Sequence, residues 1–245
     1  MPSPRRSGRA AVAPAATTMP TDAVVLRGLV RRFGERVVLD DLTLAVPAGA
    51  SLVVFGPNGA GKSTLLRVLA TLLRPHRGVV ELLGEALPDR AWAVRSRVGL
   101  LTHEPLLYRD LSARENLRFH ARLHGVGDDR IEELLEAVKL RVRANDPVHT
   151  YSRGMVQRAA VCRAVLHDPE ILLLDEPLSN LDPAAIELVE PLIGRASGRT
   201  RIVTSHDPAG GLADGDLALG LRRGKQVLLR PAAEVSVDEI GELYR

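Results

Sequence analysis

Gly56-Pro57-Asn58-Gly59-Ala60-Gly61-Lys62-Ser63-Thr64 follows the apolar run Ser51 to Phe55 and precedes the helically spaced Leu65, Leu66, Val68 and Leu69. The stretch fits G-x-x-x-x-G-K-[ST], and strand, loop, helix is the order in which that pattern binds phosphate. Glycines let the backbone curl until successive N–H groups and the helix N-terminus face one anion. Lys62 adds a point charge for β- and γ-phosphate oxygens, and Ser63 a hydroxyl for Mg²⁺. From average glycine usage a chance match arises in a chain of this length on the order of one time in a hundred. The stretch therefore reads as a nucleotide phosphate loop.

Downstream, Ile171-Leu172-Leu173-Leu174-Asp175-Glu176 is a buried strand that ends on two carboxylates. Adjacent side chains on a strand diverge, so the two take different tasks. Asp175 is placed to hold Mg²⁺ through its water shell, and Glu176 to orient and polarise an attacking water. An acidic pair at a strand end is common as mere solvation; behind a phosphate loop it is specific. Thr204-Ser205-His206 closes the next buried strand, where a histidine can reach a γ-phosphate. Glu176, His206 and Lys62 are the candidate catalytic residues.

Outward from these motifs, Ala23 to Leu44 alternates in short β-branched runs around Gly34-Glu35, a meander of antiparallel strands. The helix that opens at Lys62 is expected to continue up to Pro75. Val98 to Leu101 reads as a buried strand, and the stretch from Leu111 to about Leu166 as helical throughout. Ser112 and Glu115 have capping-box spacing, and Ile131, Leu134, Leu135 and Val138 form one apolar stripe behind Asp128-Asp129. Asp182-Pro183 have the form of an N-cap and first helical residue. Pro191 is expected to end or kink that helix. Beyond Leu217 come a hairpin around Arg223-Gly224-Lys225 and a short amphipathic piece near Ile240.

The 245 residues, 45% of them hydrophobic, are enough to bury a large core. Lys and Arg total 33 against 30 Asp and Glu, a net +3 that falls well short of the basic stripe of a nucleic-acid binder, so no nucleic-acid partner is expected. The one cysteine, Cys162, cannot form an internal disulfide, which suits a reducing compartment. No window approaches the roughly 18 consecutive apolar residues of a membrane-spanning helix. Residues 1–22 read as a disordered tail. Arg5-Arg6 outlines a twin-arginine export signal, but Pro14 interrupts an apolar run already too short for one. Translation can start at Met1 or at Met19.

In order, the phosphate loop, a helical insert, Ser152-Arg153-Gly154, the acidic strand, Ser179-Asn180-Leu181-Asp182 and His206 resemble the ABC ATPase domain, over about Ala23 to Leu229. The resemblance implies an α/β P-loop NTPase fold with an antiparallel β subdomain and a helical subdomain. It implies a domain over 23–230, the helical part inserted at about 105–167, and a C-terminal helical tail over 231–245. It also implies ATP and Mg²⁺ as cofactors. Phe33 matches the aromatic residue that stacks on adenine. Tyr151-Ser152-Arg153-Gly154-Met155 matches the family's LSGGQ motif, which serves the ATP bound by the opposite subunit. There the first glycine has become arginine and the glutamine methionine. Ser152, Gly154 and Asp182 are accordingly expected at a nucleotide held between two subunits.

Where most members carry a glutamine ahead of the helical lobe, this chain has His103, between Val98-Gly99-Leu100-Leu101-Thr102 and Glu104-Pro105. With Leu111 to Phe119 and the altered signature, this looks like the heme-exporter ATPase of cytochrome c maturation; drug- or polyether-type exporter ATPases share much of it. The expected role is an ATP-hydrolysing subunit, a homodimer on the cytoplasmic face of the cell membrane beneath integral membrane permease subunits. A soluble ABC protein acting on DNA or ribosomes would carry a second ATPase copy or a long coiled-coil insert. A P-loop kinase or GTPase would lack the serine-glycine motif before the acidic strand.

Overall fold

Buried and exposed residues alternate along Asp22–Phe33 (β1) and Arg36–Pro47 (β2), each long enough to cover one side of a core while its other face meets water. The computed structural model describes residues 22–245; the tail, the choice of start and the export signal lie outside the described residues. Gly34, at φ +56°, turns β1 into β2, and the two pair antiparallel from Phe33 opposite Arg36 to Asp22 opposite Pro47. Two further strands, Arg77–Leu82 (β4) and Glu85–Leu87 (β5), complete a four-stranded antiparallel sheet in the order β2-β1-β4-β5. Between the two halves of this sheet the chain runs through Ser51–Phe55 (β3) and the helix Lys62–Leu69 (α1).

The second sheet is built from β3, Val98–Leu101 (β6), Ile171–Asp175 (β7), Thr200–Thr204 (β8), Leu217–Arg222 (β9) and Lys225–Pro231 (β10), in the order β10-β9-β3-β8-β7-β6. All its neighbouring strands pair parallel except β10, which returns from β9 as a hairpin. The strands β3, β7 and β8 are covered on both faces and buried at every position, and their side chains sort by parity. Leu52, Val54, Ile171 and Leu173 join α1 and the antiparallel sheet in one core. On the other face, Leu172, Leu174 and Val203 pack with the helices Ala113–His124 (α3), Asp128–Ala137 (α4) and Arg153–Val165 (α5). Val53 and Phe55, on that same face nearer the hairpin, pack on Ile240 and Leu243 of the C-terminal segment. The architecture has the antiparallel β subdomain, the mostly parallel central sheet and the helical subdomain that the sequence resemblance implies.

The remaining helices are Ala91–Val94 (α2), Pro183–Ile193 (α6), Pro208–Asp214 (α7) and Val237–Glu242 (α8). The Ser112–Glu115 capping box forms, with Glu115 Oε2 accepting from the Ser112 N–H at 2.8 Å. Four sequence expectations need correction. First, α1 stops at Leu69, six residues short of Pro75, because Thr71 takes φ +62° and turns the chain. Second, the stretch from Leu111 to Leu166 is not one continuous helical run; it breaks into α3, α4 and α5 with short 3-10 turns at 141–143 and 148–150. Third, of the two expectations for Pro191, an end at that residue is not met: α6 continues to Ile193 and closes with the Gly194 N–H on the Glu190 carbonyl at 2.7 Å. Pro191 lacks the N–H that would bond the Glu187 carbonyl, and the helix runs only to Ile193 beyond it. Fourth, β4 and β5 were not anticipated. Cys162 is buried in the helical lobe and its thiol is pushed up to about 12 by burial. Among the described residues, no helix is long and apolar enough to cross a membrane.

Gly78 stands at φ +86° where β4 meets β1, and a Cβ there would lie 2.3 Å from the Gly28 carbonyl oxygen. Gly84, at φ +80°, has open space around it. Gly84→Ala should cost only backbone strain, about 1–3 kcal/mol. Gly78→Ala should cost more, because a backbone carbonyl cannot move aside; denaturant unfolding of the two variants checks the difference.

Three histidines meet where α3 approaches the end of α5. The His124 and His167 rings stack at 4.1 Å, and the His167 Nε2–H donates to the Val98 carbonyl at 3.1 Å. Burial pulls His120 and His167 down to about 4 from the free value of 6.5, with the nearby Arg163 opposing their charge as well. An unfolded chain takes up these protons below pH 6.5 and the folded one resists until about 4. Their contribution to stability is therefore complete above the free value and lost as pH falls through that window. The denaturation midpoint should drop across it, and less steeply in a His120→Gln, His167→Gln double variant.

Candidate functional site

The phosphate loop leaves β3 at Gly56 and enters α1 at Lys62, and three of its glycines hold φ values closed to most side chains: Gly56 +145°, Gly59 +79° and Gly61 +111°. Gly56 and Gly61 are also crowded. A Cβ on Gly56 would lie 2.2 Å from the Leu221 carbonyl oxygen, and one on Gly61 2.7 Å from Leu39 Cδ2. The loop is thus clamped between the two sheets. No side chain caps the N-terminus of α1 and no acidic residue occupies its first turn, so its unpaired N–H groups remain available to an anion.

Lys62 Nζ donates to the Gly56 carbonyl at 2.6 Å and lies 3.4 Å from that of Pro57, which curls the lysine back over its own loop. Burial pushes its ammonium below the ordinary lysine value, while Glu176 and then Asp175 pull it back up. Asp175 is buried, and its Oδ1 accepts from the Thr204 hydroxyl at 2.7 Å. The same hydroxyl accepts from the Glu176 N–H at 3.0 Å, so Thr204 holds both acidic residues from the neighbouring strand. Glu176 stands at φ +51°, a strained position at the strand exit, and its Oε1 lies 2.7 Å from His206 Nε2.

A cavity of about 260 Å³ opens over the loop, lined by residues 57–64 together with Phe33, Arg36, Val38 and Glu176. Phe33 is 46% exposed, so it is not a core phenylalanine; the Arg31 guanidinium lies 4.7 Å from its ring centre. A second cavity, about 520 Å³, lies between β7–α6 and β8–α7 and shares Glu176 with the first, with His206 on its wall. The donor set suits a magnesium nucleotide. An uncapped helix start, a lysine and Arg36 meet the anion, while the Ser63 hydroxyl and Asp175 offer the hard oxygen ligands that Mg²⁺ takes.

The structure brings Phe33, the loop, Asp175, Glu176 and His206 to one place. Ser152, Gly154, Asp182 and His103 do not line the cavity over the loop. Ser152 caps α5 by accepting from the Met155 N–H at 3.3 Å, and Asp182 caps α6 by accepting from the Ala185 N–H at 2.7 Å. A Cβ on Gly154 would stand 3.6 Å from the Asn180 carbonyl oxygen, so the Ser152–Gly154 turn lies against the Asn180–Asp182 segment as a second group. His103 is exposed in the loop after β6.

Two contributors escaped the sequence reading. Arg36 returns to the cavity because the Gly34 turn folds β2 back beside Phe33. Thr204 had a signal in its place at the end of a buried strand, but its partners are on another strand.

A family model described as ABC transporter matches residues 39–179. The chain is 39% identical over 210 residues to a Nod factor export ATP-binding protein I of Cupriavidus pinatubonensis, covering 82% of this chain and 65% of that protein. It is 36% identical to a phosphonates import ATP-binding protein of Anaeromyxobacter dehalogenans, over 92% of this chain and 49% of that one. It is 39% identical to a daunorubicin resistance ATP-binding protein of Streptomyces coeruleorubidus, over 80% of this chain and 65% of that one. The chain thus spans about half to two thirds of these relatives. A solved structure of the ATP-binding subunit of an ABC transporter superposes with a TM-score of 0.81 at 27% identity, over 90% of this chain and 99% of that one.

Thr204→Val keeps the shape and removes the hydroxyl, leaving a buried carboxylate oxygen and the Glu176 N–H without their partner. It should cost about 1–3 kcal/mol, and Thr204→Ser should recover most of that in equilibrium unfolding.

Proposed function

The chain belongs to the ABC transporter family, and on that premise we propose that it binds and hydrolyses ATP as the nucleotide-driven subunit of a membrane transporter. The observation that carries the reading is the Glu176–His206 pair, 2.7 Å apart beside the buried ammonium of Lys62. A carboxylate held by an imidazole N–H keeps its other oxygen free to accept a proton from water attacking the γ-phosphate. The loop N–H groups receive the phosphates, and Lys62 exchanges its carbonyl partners for phosphate oxygens. Adenine stacks on the exposed Phe33. Ser63 and Asp175 would hold Mg²⁺, which when bound supplies charge compensation at the β and γ oxygens. Thr204 keeps Asp175 aimed.

One copy holds the phosphate loop and the Ser152–Gly154 turn apart, which supports a homodimer in which Ser152, Gly154 and Asp182 of each copy complete the other's site. The Ser152 hydroxyl and the start of α5 together suit an anion arriving across the interface. A membrane partner is supported by an exposed apolar patch. Tyr108 and Phe119 meet edge to face at 5.5 Å, with Leu106 and Leu123 exposed beside them. Asn116 presents Tyr108 by bonding both its N–H, at 2.7 Å, and its carbonyl, at 2.9 Å. His103 lies in the same loop and is the residue proposed to couple the site to permease subunits. In this reading the protein sits peripherally on the cytoplasmic face of the cell membrane.

Export is favoured by the heme-exporter likeness and by the relative named for Nod factor export, while another relative is named for phosphonates import. Heme export for cytochrome c biogenesis is the narrower reading; it rests on His103 and the Tyr151–Met155 variant, and none of the relatives described above is named for it. A drug- or polyether-type exporter is the second reading, supported by the daunorubicin resistance relative.

Lys62→Ala should abolish ATP binding. Glu176→Gln should bind ATP normally, lose turnover by at least about a hundredfold, and run as a dimer when ATP is added. Nucleotide titration, phosphate release and solution mass check the three outcomes. Wild-type turnover in Glu176→Gln, or a strictly monomeric ATP-bound form in the presence of its membrane subunits, would overturn the catalytic and dimer assignments respectively.

A further inference from the structure

Tyr244 follows α8, far from the phosphate loop in sequence, yet its hydroxyl is at the loop's first residue. It accepts from the Gly56 N–H at 3.3 Å and donates to the Ser205 carbonyl at 3.5 Å. Its ring lies 6.3 Å from that of His206. One hydroxyl thus uses both its donor and its acceptor to join two segments that leave neighbouring strands at the site.

The tyrosine is delivered there by a packed element. Ser236 and Glu239 form a capping box at the start of α8, and Arg230 of β10 pairs with Glu239. Ile240 and Leu243 are buried against Val53 and Phe55 of the strand that carries the phosphate loop. Leu243 also fills the space left by Gly220 of β9, where a Cβ would lie 3.0 Å from its Cδ1. Gly56 is therefore fixed on one side by the Leu221 carbonyl and on the other by the Tyr244 hydroxyl. Ser205 precedes His206, so its carbonyl is one peptide unit from the histidine that meets Glu176.

We propose that Tyr244 is a positioning residue for ATP hydrolysis, tying the Ser205–His206 segment to the first residue of the phosphate loop and so setting His206 against Glu176. The inference rests on the ATPase reading of the site. Tyr244 does not line the cavity over the loop; it acts through Gly56 and Ser205. Removing its hydroxyl while keeping its ring should loosen His206 without disturbing the packing of Ile240 and Leu243.

The test compares wild type, Lys62→Ala, Tyr244→Phe, His206→Ala and the Tyr244→Phe, His206→Ala double variant, as full-length chains assembled as they function. Steady-state turnover, single-turnover hydrolysis and melting temperature are measured on each. Tyr244→Phe should lower kcat roughly three- to tenfold, as expected for losing weak neutral hydrogen bonds, and change KM for ATP by less than about twofold. Its melting temperature should stay at the wild-type value. In the His206→Ala background the same substitution should add no further loss, because the residue it positions is gone. Wild-type turnover in Tyr244→Phe overturns the inference, as does a loss that persists in full without His206 or follows a fall in melting temperature. A wild type no more active than Lys62→Ala overturns the ATPase reading itself, and the inference with it.

Discussion

Val54, Thr204 and Asp175 stand side by side on three hydrogen-bonded parallel strands, and the site depends on that register. Because β3, β8 and β7 run in the same direction, the chain leaves all three at the same edge of the sheet. Gly56 emerges two residues after Val54, Glu176 directly after Asp175, and Ser205-His206 directly after Thr204. Ligand sites in such sheets gather beyond the carboxyl ends of the strands. A slip of one residue in β8 would turn the Thr204 hydroxyl to the opposite face and take away the partner of Asp175. The apolar side chains of these strands oppose such a slip, since each alternate residue belongs to a different core.

The helical lobe is held to the same sheet by close backbone approach. Gly99 in β6 has no room for a Cβ, because the Ala164 carbonyl of α5 would be 2.3 Å from it. Arg163 reaches the Leu100 carbonyl at 2.7 Å, and burial draws its guanidinium down to about 10. Gln157, buried on α5, donates to the Pro177 carbonyl at 2.8 Å. The helix that begins at Ser152 is therefore connected to the residue directly after Glu176. A shift of that helix would be felt at the carboxylate through a short chain of packed groups.

Local pattern carried a large share of the fold. The apolar runs of β3, β6, β7 and β8, the capping box at Ser112 and the Asp182-Pro183 helix start are each dictated by a few neighbouring residues, so they are legible one at a time. The misreadings share a cause. Strand β4 depends on the distant β1 for its pairing and the three-residue β5 depends on β4, and neither has a run that stands out from a loop. The stop of α1 depends on Thr71 accepting a left-handed backbone, which composition does not announce. Pro191 removes one helical bond, yet the helix still closes through the Gly194 N–H on the Glu190 carbonyl, a contact that the proline rule does not foresee.

What the sequence by itself determined is the form of the loop: a glycine-rich turn between strand and helix, followed by a lysine, leaves N–H groups and an ammonium available to one anion. It also determined that Asp175 and Glu176 stand at a strand exit, where adjacent side chains must diverge. Only the tertiary structure decided which distant residues join them. The Thr204 hydroxyl reaches both carboxylate-bearing residues, His206 closes on Glu176, Arg36 folds back beside Phe33, and Tyr244 arrives at Gly56 from nearly two hundred residues away. The physical reason is that a hydrogen bond between strands is set by register and sheet order, and these follow from the burial of whole faces rather than from any short stretch of chain.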